Sequence, residues 1–150
     1  YDLTPRLFLY HLGGAGYDQI RAIDLRYEVG PGLGYRLLTL TNVVLNVELG
    51  GNYQAEYLAD RSRVEFFYGR AAGTLTWQIY PRLRLDEKFE FFPNVERSSE
   101  YRFRIESNLN YALLSYLALV LTVLDEYATQ TAVGVGQNDL QIRSSLSMKF

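Results

Sequence analysis

Residues 101–112 read YRFRIESNLNYA. One set of alternate positions is Tyr101, Phe103, Ile105, Ser107, Leu109 and Tyr111; the other is Arg102, Arg104, Glu106, Asn108, Asn110 and Ala112. Successive side chains of a strand point to opposite sides, so a period of two means an extended strand with one apolar and one polar face. A helix, turning 100° per residue, would scatter both sets around its circumference. The apolar set is itself ordered, with aromatics at its ends and aliphatic or small residues between them. That order suits a lipid bilayer, whose interfaces favour aromatic rings and whose middle favours aliphatic chains.

The same alternation recurs on both sides of this stretch. Strands are expected at 5–12, 19–38, 43–56, 64–80, 82–92, 117–127 and 139–150, which with 101–112 makes about eight. The Gly13-Gly14-Ala15-Gly16 run reads as a break opening a loop that reaches Asp18. Gly30-Pro31-Gly32, followed by Gly34, reads as a bulge or sharp bend within one long strand, two separate strands being the alternative. Connections at 39–42, 81 and 113–115 are short, whereas those at 13–18, 57–63, 94–100 and 128–138 are longer. In an up-and-down antiparallel sheet all the short ones fall at one end, the asymmetry of outer-membrane barrels with short periplasmic turns and long outer loops.

Composition bounds the chemistry. At 150 residues this is one domain by length, and the chain has no cysteine, hence no disulfide or thiolate metal site. Net charge is -2 with Lys and Arg dispersed, so no basic patch points to nucleic acid. No basic-then-apolar signal peptide opens the sequence, so if the protein is exported a mature or trimmed chain is expected. The longest nearly apolar run, 112–124, is shorter than the about 20 residues of a spanning helix.

Alternation alone does not say which face looks outward; a soluble lipocalin-like barrel would turn its polar residues to water. The aromatics favour the opposite sense. Tyr27, Tyr53, Phe67, Phe91, Tyr101 and Tyr127 lie towards the long loops, and Tyr35, Trp77, Tyr111 and Phe150 towards the short turns. Two girdles about an aliphatic band mark a transmembrane β-barrel, with Leu119 expected near mid-membrane. The last strand ends in Leu146, Met148 and Phe150, which resembles the assembly signal of bacterial outer-membrane proteins and implies the barrel-assembly machinery as a partner, beside the lipid bilayer.

In this sense the polar face fills the lumen: Asp24, Arg26, Glu28, Glu48, Arg84, Asp86, Lys88, Glu90, Arg102, Arg104, Glu106 and Arg143. An eight-stranded barrel has room only for its own side chains, so these groups are expected to pair with one another, with neighbouring strands supplying partners. An ion or solute pathway would need more strands.

Chemical motifs are sparse. His11 is the one histidine, and a rim grouping with Asp18 and Ser62 or Ser98 has no supporting spacing. Gly30–Gly34 lacks the helix and Lys-Ser/Thr of a phosphate loop. Asp24, Glu28, Asp86 and Glu90 are interleaved with Arg and Lys, which favours ion pairs over calcium. No catalytic residue, cofactor or metal is expected.

Several segments together are similar to the salt-induced outer-membrane proteins, domain-of-unknown-function family 481. The carriers are Ile23-Asp24-Leu25-Arg26, Gly30 to Leu37 (GPGLGYRL), Leu49-Gly50-Gly51-Asn52-Tyr53, Phe91-Phe92-Pro93-Asn94-Val95, Tyr101 to Ser107, and the ending from Asp139-Leu140 to Lys149-Phe150. The resemblance spans about 6–150. It implies a Gram-negative outer-membrane barrel of unestablished activity, without catalytic residues. Members usually have more strands upstream, and by that departure this chain is expected to be completed by further strands, or by a protein partner completing or packing on the barrel. Val120 and Leu124 depart from it, standing where polar inward residues are usual.

Overall fold

The computed structural model describes residues 1–18, 23–58, 62–97, 99–129 and 136–148. Eight strands follow one another: β1 (Leu7–Asp18), β2 (Ile23–Thr39), β3 (Val43–Leu58), β4 (Arg63–Tyr80), β5 (Leu83–Pro93), β6 (Tyr101–Leu114), β7 (Leu117–Ala128) and β8 (Asn138–Met148). Each pairs antiparallel with the next in a single all-β sheet of order β1 to β8. Among the described residues there is no helix.

Two glycine readings are corrected. Gly13 to Gly16 do not open a loop: they continue β1, facing Val29, Glu28, Tyr27 and Arg26 of β2 in unbroken register. Glycine weakens a strand only modestly, and here a full-length neighbour supplies the hydrogen bonds. Gly30-Pro31-Gly32 makes no bulge either, since β1 keeps step through Leu12↔Gly30, His11↔Pro31 and Tyr10↔Gly32. These glycines instead make room. A Cβ on Gly32 would overlap the Tyr10 ring, and one on Gly34 the Phe8 ring, so aromatics of β1 lie flat across bare backbone of β2. A Cβ on Gly50 would stand 2.6 Å from both the Pro31 carbonyl and the Tyr10 hydroxyl.

One row of directly opposed residues crosses the whole sheet: Phe8, Gly34, Glu48, Ala72, Glu90, Arg104, Glu126, Asp139. Phe8 lies near the turn end of β1, whereas Asp139 lies at the loop end of β8. The strands are therefore tilted relative to the axis about which the sheet curls, as barrel walls require. Leu12 and Gly13 of β1 and Asn138 and Asp139 of β8 border the same concavity.

The sheet is nevertheless open: the expected up-and-down antiparallel order of eight strands is present as a curled wall that does not close on itself among the described residues. β1 does not pair with β8. At its base the outer edge of β1 is already occupied: the chain turns at Thr4–Arg6, and Tyr1 exchanges hydrogen bonds with Leu9, nitrogen to oxygen at 2.8 Å both ways. Arg36 holds this fold-back with bonds to Asp2 at 2.7 Å and to the Pro5 carbonyl at 3.0 Å.

The fitted glycines predict a graded response. Gly50→Ala and Gly30→Ala, whose Cβ atoms meet backbone oxygen at 2.6 and 2.5 Å, should each lose about 1–3 kcal/mol in urea unfolding of the detergent-folded chain. Gly16→Ala, with nothing within 4 Å of the new Cβ, should stay within about 0.5 kcal/mol of the parent.

Candidate functional site

The polar set of every strand from β2 to β8 faces the concave side, and its centre is Arg70 on β4. Its cross-strand partner on β3 is Gly50, which puts no side chain on the shared face. The long side chain therefore lies down on the sheet. Arg70 donates through Nη1 to Glu48 of β3 at 2.7 Å and through Nη2 to Glu90 of β5 at 2.8 Å. Its guanidinium also stands 5.1 Å from the Tyr10 ring centroid. With its side chain only 2% exposed, Arg70 is a buried cation divided between two carboxylates. One fork thus ties three successive strands, and Tyr10 brings in β1.

Around it the expected lumen residues fall into three groups. Arg26 pairs with Glu56 at 3.0 Å, and Glu28 accepts a bond from Asn52 at 3.4 Å. Lys88 pairs with Glu90 at 3.1 Å, and Arg104 meets Glu106 at 3.0 Å and Glu126 at 3.4 Å. Towards the turns Arg84 pairs with Asp86 at 2.8 Å, which also accepts from Thr76 and Asn110. Pairing between β5 and β6, the geometry expected from the sequence, is not what is seen. Lys88 faces Glu106 and Glu90 faces Arg104 in register, yet each takes a partner two residues along its own strand or, for Glu90, Arg70. Same-face residues two apart are also neighbours, and Arg70 draws Glu90 the other way. Asp24 is exposed near the loop end of β2, and Arg143 is exposed on β8; neither joins an ion pair among the described residues. Among the described residues no group of three or more acidic or histidine side chains could hold a metal ion.

Arg102 differs from its neighbours. Its cross-strand partners are Phe92 and Ala128, where Arg104 has Glu90 and Glu126. Its guanidinium lies 4.7 Å from the Phe92 ring centroid and 6.0 Å from that of Tyr68.

The convex face carries the two aromatic belts. Tyr27 contacts Tyr53 and Tyr57 at 6.1 and 6.2 Å between centroids, and Tyr53 contacts Phe67 at 5.0 Å. Phe91, Tyr101, Tyr127 and Phe103 continue the loop-end belt at 5.3–5.9 Å. Arg63 donates to the Tyr53 hydroxyl at 2.8 Å. Tyr35, Trp77 and Tyr111 are exposed near the turn end. Leu119 sits opposite Tyr111, in this aromatic row rather than at mid-strand, so Leu121 is the better marker of the strand centre. Leu146 and Met148 are exposed on the outward side of β8; Phe150, Lys149 and Ser98 lie outside the described residues. His11 points outward near the middle of β1, opposite Pro31, not at a rim, and Ser62 is three strands away before β4. Leu124 is buried on the concave side and Val120 faces Ser145, so the interior at β7 is apolar where the family resemblance led one to expect polar groups.

The lumen set read from the sequence left out Arg70, as it did Glu56, Glu126 and Tyr10. The signal for Arg70 was present: a lone charge between Gly69 and Ala71, flanked in register by Gly50.

With this geometry in place, the comparison with protein families is decisive on kinship. The family model described as "Protein of unknown function, DUF481" matches residues 1–150. The chain belongs to this family. No curated protein matches it. The eight-stranded sheet with its Arg70 clamp is therefore a DUF481 structure, and the family description assigns it no activity.

Removing the clamp cation should be costly. Arg70→Met leaves Glu48 and Glu90 without their shared partner and should lose about 3–5 kcal/mol of unfolding free energy. Arg70→Met combined with Glu48→Gln and Glu90→Gln removes the stranded charges and should recover more than half of that loss.

Proposed function

We propose that this DUF481 chain forms the wall of a Gram-negative outer-membrane β-barrel with a structural or interaction role and no catalysis of its own. The reading rests on inverted burial. Arg70 and Glu90 are 4% and 6% exposed, while Leu49, Ile142 and Leu146 are 68%, 66% and 65% exposed. A water-soluble fold buries its leucines and solvates its arginines; apolar surface this extensive and contiguous marks a face that meets lipid or protein. The aromatic belts at both ends of the outward face fit a bilayer's interfaces. The outward face has a polar exception in Glu87, which accepts a 2.6 Å bond from Ser107 and is thereby partnered without water.

In hydrocarbon each backbone N–H and C=O needs a protein partner. On this reading the free edges of β1 and β8 are joined in the membrane, directly or through intervening strands, and β8 with Leu146 and Met148 is the strand offered to the assembly machinery. A pore is the second reading, and a specific observation favours it: a cavity of about 810 Å³ on the concave side, lined by charges of both signs.

Trp77 is the single tryptophan and lies 41% exposed among the turn-end aromatics, so its fluorescence tests the location directly. On reconstitution into vesicles its emission should shift to the blue. Lipids brominated close to the headgroup should quench it more than lipids brominated at the chain tip. Emission indifferent to brominated lipid would reject the membrane reading. A second expectation follows at mid-strand. Leu121→Arg, with Leu121 41% exposed on the outward side of β7, should cost roughly 2–4 kcal/mol of folding free energy in a bilayer and close to nothing on a solvated surface.

A further inference from the structure

The cavity on the concave side contains a guanidinium that meets no carboxylate among the described residues. Of the inward arginines on β2 to β6, Arg26, Arg70, Arg84 and Arg104 each meet a carboxylate at 3.4 Å or less. Arg102 meets none among the described residues. The cause is in the register, which sets Phe92 on one side of Arg102 and Ala128 on the other. Its contacts are with ring faces instead, 4.7 Å to Phe92 and 6.0 Å to Tyr68.

A guanidinium carries its five N–H donors in its own plane, so ring contacts leave the donor edge for another partner. The planar fork matches the two oxygens of a carboxylate or phosphate, and an arginine held on aromatic rings has lost much of its rotamer freedom before a ligand arrives. Arg102 lines the cavity together with Phe92, Lys88 and Arg104. The volume of about 810 Å³ lies within the range of about 300–1,000 Å³ typical of small-molecule sites. Lys88, paired with Glu90 at 3.1 Å but with its side chain 44% exposed, stands on the adjacent strand as a second cation.

We infer that Arg102, braced by Phe92 and Tyr68, is the anchor of an oxyanion subsite in the concave cavity, taking the carboxylate or phosphate group of a small solute. Glu28, Glu90, Glu126 and Asp139 border the same cavity, so a bare polyanion is disfavoured and the charged group of a small molecule fits better. The subsite depends on the concave face alone and holds whether or not the convex face meets lipid.

The test is titration calorimetry of the full folded chain in detergent at low ionic strength, with inorganic phosphate and with acetate as separate probes. Saturable binding of at least one probe is expected; preference between them tells which oxyanion the fork prefers. Arg102→Gln should weaken that binding at least tenfold, while Arg82→Gln, in the turn at the opposite end, should change it less than twofold. Arg102→Lys keeps the charge without the fork and should weaken binding several-fold, which covers the case in which the glutamine variant does not fold. The absence of saturable binding to either probe would overturn the subsite, as would unchanged affinity in Arg102→Lys or equal losses in the Arg102 and Arg82 variants. Trp77 quenching by brominated lipid reads the membrane location independently of this result.

Discussion

The fork of Arg70 between Glu48 and Glu90 is the constraint on which the concave face depends. A buried cation is unfavourable unless opposite charges and hydrogen bonds replace the water it has lost, and two bonds of 2.7 and 2.8 Å do so here. Because the two carboxylates stand on the strands to either side, the clamp is satisfied only when β3, β4 and β5 are all in register. A slip by one residue would turn Arg70 to the convex side and strand both glutamates. The ion pairs therefore act more as a check on register than as a source of net stability, since a buried pair gains little over well-packed apolar groups.

The glycines of β2 and β3 complete the same device. Tyr10 reaches over Gly32 towards Gly50 to lie against Arg70, and Phe8 covers Gly34. An aromatic laid over bare backbone restores the side-chain packing that a glycine strand lacks, and it is a recognised means of holding edge strands. Here it attaches β1, whose outer edge is only partly paired, to the three-strand clamp. The glycine-rich stretch at 30–34 thus has a packing meaning rather than a phosphate-binding or turn-forming one.

Much of the fold was legible because a period of two needs no tertiary information. Alternation located all eight strands and assigned their faces, including the inward Arg102, Arg104 and Glu106 and the outward Tyr101, Ile105 and Tyr111. What failed depended on a neighbour. Gly13 to Gly16 read as a loop because local propensity disfavours glycine in strands, but β2 extends alongside and keeps them paired. Arg70 looked like one charge among many because its weight comes from Glu48 and Glu90, 22 and 20 residues away. Closure was the least legible feature. It depends on what occupies the free edges of β1 and β8, and strand periodicity is blind to edges.

The concave side is uneven, and this separates two ideas that a polar lumen alone confuses. Phe8, Tyr10 and Arg70 pack the part of the wall formed by β1 to β4, and none of them lines the cavity. On β5 to β7 the row through Glu90, Arg104 and Glu126 does line it, with Arg102 beside it on aromatic faces. An ion-paired plug and a cavity thus share one surface, the cavity also reaching Leu12 and Gly13 of β1, Arg26 and Glu28 of β2 and Asn52 of β3. Widening the wall by further strands would leave the clamp in place, because its members are consecutive strands, and would enlarge the side where Arg102 stands.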